Sequence, residues 1–423
     1  MRIAIITAGS RGDVQPYVAL ALGLQRAGHL VRVATHETFR GFVTGHGLEF
    51  APVAGDPRAV LRSRAAERWL ATGRNRNVLG FVRELRALAP ALVEGSLADY
   101  WQAMQGADAL VFSVVGVASL HVAERLDVPA FAAFLQPFTR TREFPAIGLP
   151  QRLRLGGAFN LATHAVAEQA MWRPFRRQVG AWRRETLGLA EERALTPHGQ
   201  MAARGVPTLY GFSRHVVPRP ADWGAAVHLT GYWFLDAPAG YEPPPALRDF
   251  LAAGPPPVYL GFGSMTPQGA DALTRTMLGA LERAGLRGVL LRGWGSLGAG
   301  ALPPWAIAVD DVPHEWLFPR MAAVVHHGGA GTTAAGLRSG VPSLVVPLGF
   351  DQPYWGWRVA QLGVGPRPIA RKRLTVERLA RALREATGDE AMRERAARLG
   401  AAIRAEDGVG AAVEVIDAGV RAG

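Results

Sequence analysis

The chain has 423 residues, 49% apolar and 19% charged, which suits two domains of about 200 residues each with substantial cores. It contains no cysteine, which excludes disulfides and thiolate metal sites. The net charge of +12 does not read as a nucleic-acid groove, because the whole excess falls in two local arginine-rich segments and no nucleic-acid partner is expected.

Residues 3–8 form an apolar run that reads as a buried strand. One basic residue precedes it and Gly9-Ser10-Arg11-Gly12-Asp13 follows directly, so it is expected to be a first strand and not a signal peptide. A helix is predicted over 18–26 and a second strand over 30–35. Residues 55–105 read as helical and irregular, and 58–86 within them hold eight Arg against Glu67 and Glu84. Strands at 109–114 and 129–135 continue the alternation, which predicts a parallel, doubly wound sheet. The apolar run 109–120 is too short to span a bilayer, so a cytoplasmic protein is expected.

Residues 137–200 again read as helical insertion, and 140–204 hold eleven Arg against five Glu. Solvated surface and an anionic-lipid surface explain these arginines about equally well. With a single lysine, Lys372, the arginine bias is that of a GC-rich, bacterial genome. Leu161, Ala165, Trp172, Phe175, Val179 and Trp182 recur at helical spacing, interrupted by Glu168 and Pro174. They fit a broken helix packed on the core, or a wall of an apolar ligand pocket or membrane-resting helix, with Trp69 and Trp101 lining the same pocket. Proline and glycine thicken over 238–257, the predicted linker. A second alternation then begins at 258 and runs through 289–292, 306–309, 322–326 and 343–347. The expectation is an N-terminal domain over 1–237, the linker, a C-terminal domain over 258–405 and a terminal helix over 406–423 packing back on the N-terminal domain. Two facing Rossmann-like α/β domains with a cleft between them are the simplest architecture.

Three places carry chemistry. Asp13 sits at the turn into the first helix, where a carboxylate acts either as an N-cap or as a general base at the carboxyl edge of the sheet. Ser10, Arg11 and Gly12 would support that loop, or Arg11 would reach an anion. Gly261-Phe262-Gly263-Ser264 follows the first strand of the second half, with Thr266 where a dinucleotide fingerprint needs its third glycine. It reads as a plain turn or as one in which Ser264 donates to a phosphate. The third run, 324–359, packs a strand, a glycine-rich turn, a helix and a second strand before Asp351-Gln352. Bare backbone at Gly328, Gly329 and Gly331 with a helix N-terminus suits a phosphate, and His327 and Thr332 can donate beside the N–H groups of Gly331 and Thr333. His326 and His327 alternate across a strand, so a shared metal is not expected and His326 reads as core. Gly-Lys-Ser/Thr, G-x-S-x-G and His-Glu-x-x-His are all missing from the sequence.

Taken in order, Gly9 to Pro16, Gly261 to Met265, Val312 to Arg320, His326 to Thr333 and Asp351-Gln352-Pro353 resemble nucleotide-sugar-dependent glycosyltransferases of the GT-B architecture. The likeness is to the UDP-glycosyltransferase family, in its sterol glucosyltransferase-like and antibiotic glycosyltransferase-like branch, over nearly the whole chain. That resemblance implies Asp13 as the base that deprotonates an acceptor hydroxyl. It implies His327, Gly329, Gly331 and Thr332 on the diphosphate with Ser264 nearby, Asp351 and Gln352 on sugar hydroxyls, and Trp294 and Val312 along base and ribose. The reaction would be inverting, with no metal or cofactor. UDP-glucose is the leading donor, but Asp311 and Ala335 stand where plant-type relatives have a stacking Trp and a ribose-binding Glu, so a dTDP-sugar stays open. A lipophilic acceptor such as a sterol, triterpenoid or polyketide would meet Trp69, Trp101, Trp172 and Phe175, and peripheral membrane contact goes with it. A sugar-nucleotide epimerase of the same fold and an inactive auxiliary partner are the alternatives.

Overall fold

The computed structural model describes residues 1–55, 95–153, 155–238, 240–263, 270–293, 297–298 and 300–422. Two sheets organise it. The first holds seven strands in the order β3-β2-β1-β4-β5-β6-β7: β1 Arg2–Ile6, β2 Leu30–His36, β3 Glu49–Val53, β4 Ala109–Phe112, β5 Ala130–Phe134, β6 Thr208–Tyr210 and β7 Val227–Leu229. The second holds five in the order β10-β9-β8-β11-β12: β8 Val258–Gly261, β9 Gly288–Leu291, β10 Ala306–Val309, β11 Ala323–His326 and β12 Ser343–Val345. Every pairing is parallel.

Burial on both faces explains why these strands read as continuous apolar runs. Ile3, Ala4, Ile5 and Ile6 of β1 are all fully buried. In the second sheet the alternation splits between two cores: Val258, Leu260 and Val325 face one, Tyr259 and Val324 the other. Fully burying one such side chain is worth about 1.5–3 kcal/mol.

The order of strands matters more than their number. From β1 the chain winds outward to β2 and β3, then returns to the other side of β1 as β4. From β8 it winds to β9 and β10, then returns as β11. Each reversal opens a crevice at the carboxyl ends of its two central strands, where open α/β sheets bind ligands.

Several expectations needed correction. The first helix starts at Arg11, seven residues before the predicted 18, with Ser10 as N-cap. Pro16 hid this start, since proline gives no N–H to a helix interior, yet the helix continues through it. The expected linker 238–257 contains a helix, Pro245–Ala252, whose Leu247 is fully buried in a core of the second sheet. Proline at the first helical turn starts a helix as readily as it marks a linker. The break expected near Pro174 is present, between the helices Gly157–Trp172 and Arg176–Glu185.

The chain separates into two compact units, one running to Leu235 and resuming at Asp407, the other from Asp236 to Glu406. The last helix, Gly408–Ala422, packs on the first helix, Arg11–Arg26. A Cβ on Gly23 would lie 2.2 Å from Val409 Cγ1, and the His29 Nε2 to Asp417 Oδ1 distance is 2.7 Å. No helix among the described residues is long and apolar enough to cross a membrane.

Candidate active site

In the first unit, the reversal between β1 and β4 places Asp13 directly beyond the end of β1. Asp13 is the third residue of its helix and not the N-cap. Its Oδ2 accepts from the Ser10 backbone N–H at 2.8 Å and the Ser10 hydroxyl at 2.9 Å. Oδ1 has no hydrogen-bond partner among the described residues. One oxygen is therefore fixed and the other is left to act. Thr7 Oγ1 donates to the Asp13 carbonyl at 2.8 Å and holds the turn to the strand. Gly9 is required here: its φ is +130°, and a Cβ would meet Asp13 Oδ2 at 2.5 Å.

A cavity of about 20 Å³, the space of roughly one water, lies beside the carboxylate, among residues including Thr7, Tyr17, Ser113, Val115, Phe134 and Gln136. These come from the ends of β1, β4 and β5 or, for Tyr17, the first helix, and only Asp13 was legible as a site residue. Burial raises the Asp13 pKa above the ordinary 3.8, against the two Ser10 hydrogen bonds and the nearby His36, which lower it. A carboxylate with a raised pKa is a stronger base than a solvated one. Arg11 does not turn inward; its guanidinium lies 5.2 Å from the Phe42 ring and its Nε donates to Gln15. Gly12 is exposed on the helix's first turn.

In the second unit, the turn after β11 lies at the reversal between β8 and β11. The helix Ala330–Ser339 starts there with Gly329 as its N-cap and no side chain capping it. Its first internal bond runs from Thr333 N–H to the Gly329 carbonyl at 2.9 Å. The N–H of Thr333, expected as a phosphate donor, is thus committed, while those of Ala330, Gly331 and Thr332 have no acceptor among the described residues. Three aimed N–H groups at the positive end of a helix form an anion site. The Thr332 hydroxyl makes no hydrogen bond among the described residues and stands on the same turn.

His327 leads into this turn. Its Nδ1 is buried without a partner among the described residues, and burial pushes its pKa down to about 4. The ring is therefore neutral at pH 7 and offers an N–H, not a positive charge. A Cβ on Gly329 would lie 2.6 Å from His327 Nε2, so only glycine leaves the ring this close to the helix start. Gly263, after β8, sits under the other edge of the ring, 3.3 Å from Cε1 to a Cβ built there. His326 differs wholly: it is fully buried, its Nδ1 accepts from the Gly328 N–H at 3.0 Å, and burial first, then His327 and His314, hold its pKa well below 6.5.

Asp351 and Gln352 begin the helix after β12, and Gly328 approaches Gln352 closely. Asp351 Oδ2 accepts from the Trp355 indole at 2.8 Å. Gln352 is 4% exposed, and its Oε1 accepts from the backbone N–H groups of Leu348 and Gly349 at 2.7 and 3.1 Å. Its carbonyl is thus spent on shaping the loop. Val312 is buried in the same core as Leu317, so only its backbone could meet a ligand. Ala335 is buried in the same core.

Ser264, Trp294 and Trp69 lie outside the described residues. Trp101, Trp172 and Phe175 are half-buried and do not line the Asp13 cavity. Among the described residues, His121, Glu124 and Glu192 have metal-ligand spacing, but Arg183 and Arg204 both pair with Glu124. Despite burial, hydrogen bonds from Arg183, His121 and Arg204 hold the Glu124 carboxyl far below its ordinary range, so the cluster is an ion-pair network.

Two doubly wound parallel sheets, each with a polar turn at its point of reversal, make the GT-B architecture that the motifs predicted. The chain carries glycosyltransferase family domains: residues 3–145 match the glycosyltransferase family 28 N-terminal domain and residues 295–415 the erythromycin biosynthesis protein CIII-like C-terminal domain. It is 42% identical to the sterol 3-beta-glucosyltransferase of Emericella nidulans and 39% identical to that of Pichia angusta, in each case over 98% of this chain. The chain spans only 30% and 33% of the length of those relatives. Among solved structures, the calicheamicin glycosyltransferase CalG4 matches with a TM-score of 0.69 at 20% identity, covering 99% of this chain and 98% of that one. Glycosyltransferase VinC, solved in complex with dTDP, matches with 0.69 at 22% identity over 100% of both chains.

Proposed function

We propose that the chain is an inverting glycosyltransferase that moves a hexose from a nucleoside diphosphate to a hydroxyl of a lipophilic acceptor, with UDP-glucose as donor and a sterol-like acceptor. The observation that carries this is the Asp13 carboxylate, with Oδ2 held by Ser10 and Oδ1 uncommitted beside a cavity at the sheet's reversal. An alcohol is a poor nucleophile until its proton is leaving, and a carboxylate with one oxygen unpaired among the described residues and a raised pKa supports that role. As the acceptor oxygen bonds to the anomeric carbon, the bond from that carbon to the diphosphate breaks and negative charge grows on the leaving group. The three N–H groups at Ala330 to Thr332, the Thr332 hydroxyl and the neutral His327 would receive that charge. Asp351 would hold sugar hydroxyls, while Gln352 has only its amide N–H groups to offer, since its oxygen is engaged.

The sterol glucosyltransferase names of the relatives support the acceptor class and glucose. The experiment is a matrix of UDP- and dTDP-sugars against sterols, triterpenoids and polyketides, read by mass spectrometry. A glycosylated product that forms only with an apolar alcohol present supports the reading. Sugar-nucleotide conversion without acceptor would favour an epimerase, and no turnover with any pair would favour an inactive partner.

A further inference from the structure

The helix Gly157–Trp172 is built inside out. Its buried residues are Asn160, Thr163, His164 and Glu168, all polar and all on one face. Asn160 Nδ2 donates to the Arg142 carbonyl at 2.7 Å, and Thr163 Oγ1 accepts from the Ala146 N–H at 2.9 Å. His164 Nε2 meets the Phe144 carbonyl at 3.1 Å, and Arg140 holds Glu168 with bonds of 2.8 and 2.6 Å. Rolling the helix over would strip partners from all four buried groups, each a cost of about 1–3 kcal/mol. The polar face is therefore locked inward.

The outward face is correspondingly apolar. Ala158, Ala162 and Val166 are exposed along it, and Leu155 leads into it; Leu155 and Val166 are 63% and 61% exposed. Glu168 is the only charged residue of the helix, and it is buried. Arginines stand at both ends: Arg152 before it, and Arg173, Arg176 and Arg177 after it, all exposed. None of the four pairs with a carboxylate among the described residues. Between residues 144 and 184 the sole acidic residue is Glu168.

We propose that this face docks on an anionic lipid bilayer, the helix lying in the plane of the interface with its alanines, Val166 and Leu155 among the acyl chains and the four arginines on lipid phosphates. An apolar face ringed by unpaired cations is the chemistry of an interfacial helix. A second copy on the same face would bring like-charged arginines together across a two-fold axis. The proposal stands apart from the sugar-transfer reading, because binding to vesicles needs no donor or acceptor.

The test is flotation of the full chain with vesicles of phosphatidylcholine alone or mixed with phosphatidylglycerol. The expected result is binding to the mixed vesicles only, weakening as salt rises. Val166→Asp should lower partitioning on the order of tenfold, and so should the pair Arg176→Glu and Arg177→Glu. Both should keep the wild-type Tm and nucleotide affinity; if the first variant folds poorly, the arginine pair decides alone. No binding to the mixed vesicles, or equal binding by the arginine pair, overturns the proposal. So does a concentration-dependent dimer that Val166→Asp dissociates.

Discussion

Replacing Asp13 by asparagine removes the proposed base while changing almost nothing else. The asparagine oxygen can still accept from the Ser10 N–H and hydroxyl, now at 2.8 and 2.9 Å from Oδ2, so the turn is kept. Its amide then occupies the place of Oδ1, which has no protein partner to offend among the described residues. Loss of a negative charge in the first helical turn costs about 0.3–1 kcal/mol. Relief from burying a carboxylate offsets it, since burial is the largest influence on this group. Folding should therefore change by no more than about 1 kcal/mol. Catalysis should fall by about 10² to 10⁴, a barrier increase of about 3–5 kcal/mol. The assay is transfer rate against acceptor, with nucleotide affinity measured calorimetrically on the same protein and expected to be nearly unchanged. The pH profile adds a second reading. With its pKa raised by burial, Asp13 should set an acid limb in kcat/KM above 3.8, and the asparagine variant should lack it. Stability carries the matching sign: the folded state holds the Asp13 proton longer, so wild type loses ground to the variant as pH rises through the folded value. Near-normal turnover by the variant, or an unchanged acid limb, would refute Asp13 as base.

Other outcomes test the donor turn. Gly329→Ala would place a methyl 2.6 Å from His327 Nε2 at an ordinary φ of −60°, so donor affinity should fall on the order of tenfold with Tm little changed; unchanged affinity would show the ring is not needed where it stands. Thr332→Ala should weaken donor binding by about 1.5–3 kcal/mol, the worth of a hydrogen bond to a charged group, and unaltered kinetics would remove it from the phosphate site. Because the His327 pKa is down to about 4, donor affinity should stay flat as pH passes through 6.5, and an NMR titration showing His327 protonating near 6.5 would contradict this. That depressed value also means the stability from neutral His327 is complete above 6.5 and lost as pH falls toward 4, which a Gln variant should not show.

Much of this was legible in the residues because of what burial demands. Strands buried on both faces, such as β1 and β8, need unbroken apolar runs and are visible as such. β6 and β7 have three residues each, too few for any period to show. The glycine-rich turn was visible because close backbone approach needs glycine, and Gly328 and Gly329 have no room for a side chain. Gln352 was harder: whether its amide faces ligand or loop depends on where Leu348 and Gly349 lie, which no local pattern encodes. The cavity lining at Ser113, Phe134 and Gln136 comes from separate strand ends and carries no shared motif. The spacing from Leu161 to Trp182 marked helix, but it could not reveal that the polar residues would take the inner face of Gly157–Trp172.

The return of Gly408–Ala422 to the first helix has a consequence for biosynthesis. Ala412 and Ile416 are fully buried in the unit that holds Asp13, so that unit lacks part of its core until residues 408–422 have left the ribosome. The stretch from Asp236 to Glu406 lies wholly before Gly408–Ala422 in the chain, so its core can close earlier. Synthesis therefore runs opposite to chain order: the unit with the glycine-rich turn matures first, and the unit that holds Asp13 waits on Gly408–Ala422. A nascent chain halted before Gly408 should already bind nucleotide while its β1 amides remain open to hydrogen exchange.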